Sequence, residues 1–232
     1  MGHYYQNIAA IVCAYNEEKT IPCILETLLK CTELKEIIVV NDGSTDGTSQ
    51  VIKNFERFNK LRIIELPENK GKGYAMAEGI TNAKSDLLVF FDADLNNFKA
   101  EYIKQLIQQL LDGKAKMVIG QPTENNILDY RLNPFIALAG ERALFRKDVF
   151  PLIEQMKETR FGVETLINLY YKANNMKTLY VSLRGLVHPI KMQKYSFRKS
   201  VREYFLAAKQ ITKTLAMNHI LVALTIRNIF FR

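Results

Sequence analysis

The chain has no tryptophan, only six prolines and eleven glycines, and three cysteines in 232 residues. With 48% hydrophobic and 24% charged residues, that composition excludes collagen-like, low-complexity and disordered chains, and no internal period marks a repeat protein. Cys13, Cys23 and Cys31 are odd in number and lack CxxC spacing, so neither a disulfide framework nor a zinc site is expected. They read as reduced core or helix thiols. Long apolar runs are also missing: no clean stretch of about 20 apolar residues spans a bilayer. The polar opening at residues 1–7 leads straight into a strand, unlike a secretory leader, so a cytoplasmic, reducing setting is expected. Neither GxxxxGK[ST] nor GxGxxG occurs, which excludes a P-loop ATPase and an NAD-type Rossmann site. Acid is scarce at one end. Residues 184–232 hold ten Lys or Arg against one acid, Glu203, so the net charge of +8 belongs to that segment. A basic tail suits an anionic membrane, a phosphorylated acceptor or nucleic acid. With no zinc finger, RRM signature or recognition helix to support the last, no nucleic-acid partner is expected.

What is present is an alternation of two periodicities. Short, near-continuous apolar runs at residues 8–14, 36–40, 61–66, 87–91 and 116–119 have the pattern of strands covered on both faces. Helix-length segments separate them at 20–30, 45–58, 73–82 and 99–111. Strands and helices at this spacing predict a parallel, right-handed α/β sheet. Beyond Gly120 the pattern changes. Residues 121–132 read as a polar loop, 147–157 and 163–173 as helices, and 177–181 as a late strand. From Phe197 the chain is predicted helical to its end. There Asn218, Thr225, Asn228 and Arg232 share one face, while Ile220, Leu221, Leu224, Phe230 and Phe231 lie elsewhere. One α/β domain over 1–196 is expected, with halves at 7–120 and 121–196, followed by a basic amphipathic tail at 197–232.

Ligands of open α/β sheets bind at the carboxyl ends of the parallel strands. After the first run comes Ala14-Tyr15-Asn16-Glu17-Glu18, and after the second Asn41-Asp42-Gly43-Ser44-Thr45-Asp46-Gly47. After the third comes Asn69-Lys70-Gly71-Lys72-Gly73, and after the fourth Asp92-Ala93-Asp94. Polar, charged and Gly-rich residues thus gather at one sheet edge. Asp92 and Asp94 share a turn, where two carboxylates repel unless a cation or donors intervene. Mg²⁺ or Mn²⁺, completed by diphosphate oxygens, resolves the conflict. Lys70 and Lys72 flank glycines that let backbone approach a phosphate. Asp42 stands where a carboxylate can accept from a nucleobase N–H.

The stretches at 11–18, NDGSTDGT at 41–48, NKGKG at 69–73 and FDAD at 91–94 resemble, in order and spacing, the nucleotide-sugar half of family 2 glycosyltransferases of the GT-A fold. That resemblance implies a metal-dependent transferase using a UDP- or GDP-linked sugar. It puts Ala14, Tyr15 and Glu17 in the nucleoside pocket and Asp42 on the base. Lys72 then lies near the base or diphosphate, Asp92 near ribose or metal, and Asp94 is the principal metal ligand. In the second half, residues 139–146 are similar to the acceptor-side loop. Phe161-Gly162-Val163-Glu164 is similar to the segment that carries the catalytic base, although this chain has Glu164-Thr165 where members acting on hydroxyls often show Glu-Asp. Residues 184–188 resemble glucosyl-3-phosphoglycerate synthases, which implies His188 in the metal shell. A phosphate acceptor would need no base, and Arg142 with the basic tail is expected to position it. Two acceptors follow: a lipid-linked phosphate such as a polyprenyl phosphate, with the tail on a membrane surface, or a small soluble phosphorylated molecule. In the second case the terminal helices pack on the domain or on a second copy in a homodimer.

Overall fold

The computed structural model describes residues 7–123, 139–187 and 197–230. Strands β1 (Ile8–Ala14), β2 (Leu34–Asn41), β3 (Leu61–Glu65) and β4 (Leu87–Asp92) pair in parallel in the order β3-β2-β1-β4. Helices α1 (Ile21–Lys30), α2 (Thr48–Lys53), α3 (Lys72–Asn82) and α4 (Glu101–Leu111) alternate with them. Successive strand residues point to opposite faces, so each strand feeds two cores. Ala10, Val12 and Ala14 of β1 pack in one core with Ile24, Leu25 and Leu28 of α1 and Leu106 of α4. Ala9 and Ile11 pack in the other with Met76 and Ile80 of α3. The register aligns the strand ends: Ala14 lies opposite Asn41, Asn41 opposite Glu65, and Cys13 opposite Asp92.

The second half completes the sheet in the order β3-β2-β1-β4-β6-β5-β7. Here β5 is Met117–Thr123, β6 Arg142–Phe145 and β7 Thr178–Arg184. The short β6 runs antiparallel to both β4 and β5, with Arg142 opposite Phe90 and Ile119. Residues 139–146, similar in sequence to a loop, therefore contain a central strand. Because it runs backwards, its first residues arrive at the edge where β4 ends. The helix predicted over 147–157 is divided into α5 (Arg146–Val149), a 3₁₀ turn (Phe150–Leu152) and α6 (Ile153–Lys157). Pro151 is the cause, since its ring and missing N–H interrupt a continuous helix. A second 3₁₀ turn (Arg160–Gly162) leads into α7 (Val163–Ala173), whose Val163, Leu166, Ile167 and Tyr171 join the second core. The tail forms two helices, α8 (Phe197–Met217) and α9 (His219–Phe230). Leu221 of α9 packs against the second core. Thr214 of α8 is buried beside Gly162, where an added Cβ would stand 2.0 Å from its Oγ1.

Candidate active site

The loops after β1 and β2 are stitched together by side chains. Asn16 adopts a left-handed backbone with φ 57°, a conformation asparagine tolerates. Its amide donates to Ser44 Oγ at 3.0 Å, and its Oδ1 accepts the Thr45 N–H at 2.8 Å. The Glu17 amide donates to Thr48 Oγ1 at 2.8 Å, and its carboxylate accepts from Thr20 Oγ1 at 2.8 Å. Ala14 is buried and its carbonyl accepts the Asp42 N–H at 2.8 Å, while Tyr15 is exposed at the rim.

Asp42 is buried. Its Oδ1 accepts from the Lys70 amide at 2.7 Å and its Oδ2 from the Gly71 amide at 2.9 Å. Burial pushes its carboxyl upward, opposed by these two hydrogen bonds and by the Arg160 charge. The sequence reading gives Asp42 to a nucleobase; in the structure both oxygens hold the 69–73 loop. Gly71, at φ 97°, lies under the Arg160 stem, where a Cβ would meet Arg160 Cγ at 2.8 Å. The Arg160 guanidinium donates to Asn69 O at 3.1 Å. The turn before α7 thus clamps the third strand-end loop.

Lys72 opens α3 and reaches two other elements at once. Its Nζ lies 2.6 Å from Asp92 Oδ1 at the end of β4 and 2.7 Å from Glu164 Oε1 in the first turn of α7. Burial pulls the Lys72 pKa down, but Asp92 and Glu164 more than offset it and leave it well above the ordinary value. Gly140, at the approach to β6, faces the same carboxylate: a Cβ there would stand 2.6 Å from both Asp92 oxygens. Behind them Arg142 is fully buried. It donates to Ala139 O at 2.6 Å and to Asn168 Oδ1 at 3.5 Å. Burial lowers its pKa, countered by Glu164, Glu141 and Asp92.

Sequence-predicted residues from both halves therefore meet: Lys72, Asp92 and Glu164 directly, with Asp94 half-buried in the turn that follows. Two others sit differently. Lys70 is exposed and paired with Glu68, and Arg142 supplies charge from inside the sheet rather than from its surface. His188 lies outside the described residues. Among those described, no three His, Cys, Asp or Glu side chains gather to hold a metal ion. The donors at this corner are carboxylate oxygens, which suit Mg²⁺ or Mn²⁺ when one or two carboxylates share the ion with substrate phosphates. Gly140 leaves the Asp92 carboxylate uncovered by any side chain at that position, and the residues present fit such an ion. Sequence reasoning missed Gly140 and Arg160, whose parts depend on long-range approach and carry no local signal.

A model of glycosyl transferase family 2 matches residues 9–199, most of the chain. The chain belongs to that family. Among relatives in the family, it is 34% identical over 131 residues to a dolichyl-phosphate β-glucosyltransferase of Trichomonas vaginalis, covering 51% of this chain and 40% of that one. It is 38% identical over 90 residues to a poly-β-1,6-N-acetyl-D-glucosamine synthase of Staphylococcus aureus, covering 38% and 22%. The chain spans less than half the length of these curated relatives. Glucosyl-3-phosphoglycerate synthase of Mycobacterium tuberculosis, solved with Mn²⁺, UDP and phosphoglyceric acid, superposes with a TM-score of 0.70 at 22% identity. That match covers 90% of this chain and 77% of the synthase. The GT-A fold expected of the family is thereby established.

Proposed function

We propose that this family 2 member transfers a sugar from a nucleotide-diphosphate donor to a lipid-linked phosphate of the polyprenyl class. The observation that carries this reading is the meeting of Lys72, Asp92 and Glu164 at the sheet edge where the strand-end loops converge. Tyr15 and Glu17 line the nucleoside side of that edge. Asp42 acts by fixing the 69–73 loop against which the donor rests. Asp94, with Asp92, would hold a divalent cation, which when bound neutralises charge on the departing diphosphate. His188 is the proposed further ligand.

In the transfer, an acceptor oxygen forms a bond to the anomeric carbon. The bond from that carbon to the diphosphate breaks, and the nucleoside diphosphate leaves with the electron pair. A phosphate oxygen is already anionic and requires no base. Glu164 then serves with Asp92 to fix the Lys72 ammonium beside the reacting groups, where a preorganised charge favours the transition state. With a hydroxyl acceptor Glu164 is the group placed to take the proton. The lipid acceptor is favoured by the basic segment after residue 184 and by the dolichyl-phosphate relative. It puts the enzyme at the cytoplasmic face of a membrane.

The test uses radiolabelled UDP- and GDP-sugars with Mn²⁺ or Mg²⁺ and polyprenyl phosphate. Label is expected in the organic phase, and Asp94→Ala is expected to cut it about a hundredfold while the protein stays folded. Undiminished transfer in that variant overturns the metal assignment. Label appearing only in water with a soluble phosphorylated acceptor overturns the lipid acceptor.

A further inference from the structure

Helix α9 turns polar residues as well as Leu221 toward the domain and a run of large apolar residues away from it. Its polar side is turned inward: Asn228 Nδ2 donates to Lys172 O at 3.2 Å and Ala173 O at 2.9 Å, and Thr225 Oγ1 donates to Leu169 O at 3.4 Å. The first two carbonyls belong to the last turn of α7, where Lys172 O also accepts the Asn175 N–H at 3.1 Å and further donors are welcome at a helix end. The outward side carries Ile220, Ile226, Ile229 and Phe230, with Phe230 73% and Ile220 65% exposed. His219 and Arg227 are the only polar residues exposed on this helix. At the end of α8, Leu215 and Met217 are also exposed, as are Lys209 and Lys213 one turn apart. No Asp or Glu occurs after Glu203.

We propose that this face of α8 and α9 docks on an anionic bilayer. Ile220, Ile226, Ile229 and Phe230 enter the boundary between headgroups and acyl chains, and Lys209, Lys213 and Arg227 meet the lipid phosphates. An exposed apolar stripe with Arg227 on its own helix, exposed Lys209 and Lys213 on the helix before it, and no acid after Glu203 is the pattern of a helix lying in a membrane interface. Among the described residues no helix is long and apolar enough to cross a bilayer, and the 12 residues of α9 reach about 18 Å. A second copy of the chain fits this face less well. An isologous pair would bring the same cations against one another with no Asp or Glu in residues 204–230 to answer them. The docked helix lies alongside α7, whose first turn bears Glu164. The surface therefore deepens the lipid-acceptor reading and depends on it for its purpose.

Vesicle flotation of the full chain, without donor or transfer, tests docking separately from catalysis. Binding to phosphatidylcholine vesicles containing phosphatidylglycerol is expected to exceed binding to phosphatidylcholine alone by about tenfold. Ile226→Glu with Phe230→Glu is expected to remove that binding, with melting temperature and donor-induced thermal shift unchanged. Lys209→Glu with Lys213→Glu is expected to abolish the preference for anionic lipid. Equal flotation with both vesicle types, or binding that survives Ile226→Glu with Phe230→Glu, overturns the proposal. So does sedimentation showing a wild-type dimer that the apolar-face variant dissociates. A donor shift that fails while flotation holds would count against the transferase reading only.

Discussion

Lys72 begins α3, where the helix dipole disfavours a cation. Its position is sustained by Asp92 and Glu164, which bring opposite charge from β4 and α7. Removing one member of such a partly buried set costs about 2 kcal/mol, or about 4–8 °C of melting temperature for a domain of this size. Lys72→Met is expected to lower the Tm by that amount. Adding Glu164→Gln is expected to recover part of it, because one of the two stranded carboxylates is then neutral. Calorimetry showing additive losses in the double variant would refute the coupling. The identities of Lys72, Asp92 and Glu164 were legible from their motifs, but their meeting was not. Residues 72 and 164 are far apart in sequence, and the packing of α6 and the 3₁₀ turn after it against α3 joins them. Nor do the motifs tell that Lys70 is exposed beside Glu68 and Arg142 buried inside the sheet. Whether a Lys faces a site or a neighbouring Glu is decided by rotamer and backbone, which a motif does not specify.

At the scale of elements, the early strands were readable because each is an apolar run ended by polar or glycine-rich residues. The strand β6 was not, because it has four residues and begins with a buried arginine, which interrupts any apolar pattern. The amphipathicity of α9 was visible, but not which side faces the protein, since that is set by contacts with α7 and by Leu221 on the second core. The joint between tail and domain is steric. Gly162 admits α8 because it has no side chain, and its virtual Cβ falls 3.0 Å from Thr214 Cβ as well as 2.0 Å from the hydroxyl. Gly162→Val is expected to cost about 1–3 kcal/mol and to make the tail helices more sensitive to limited proteolysis. Thr214→Ala should relieve the defect in part. A Gly162→Val protein with unchanged melting and digestion would mean that α8 does not rest on this turn.

For the whole molecule, Cys31 is buried within one core and Cys13 packs half-buried against the other. Cys13 is pushed upward in pKa chiefly by burial, despite the Lys72 charge, and Cys31 is raised by burial and then by Glu33. Cys23 is exposed. Since the thiolate is the reactive form, one thiol is expected to react promptly with Ellman's reagent in native buffer and all three after denaturation. Prompt reaction of two or three in the native protein would mean that a core is open.

The sheet order has a consequence for any attempt to divide this enzyme. Strand β5 finds its hydrogen-bonding neighbours only in β6 and β7, and β4 closes its second edge only with β6. A fragment stopping near Gly120 would carry one strand with nothing to pair with and another with a bare edge, a template for aggregation. The two halves of the sheet are accordingly not interchangeable cassettes. A chimera that imports a new second half has to bring, or keep, a β6 matched to the host's fourth and fifth strands.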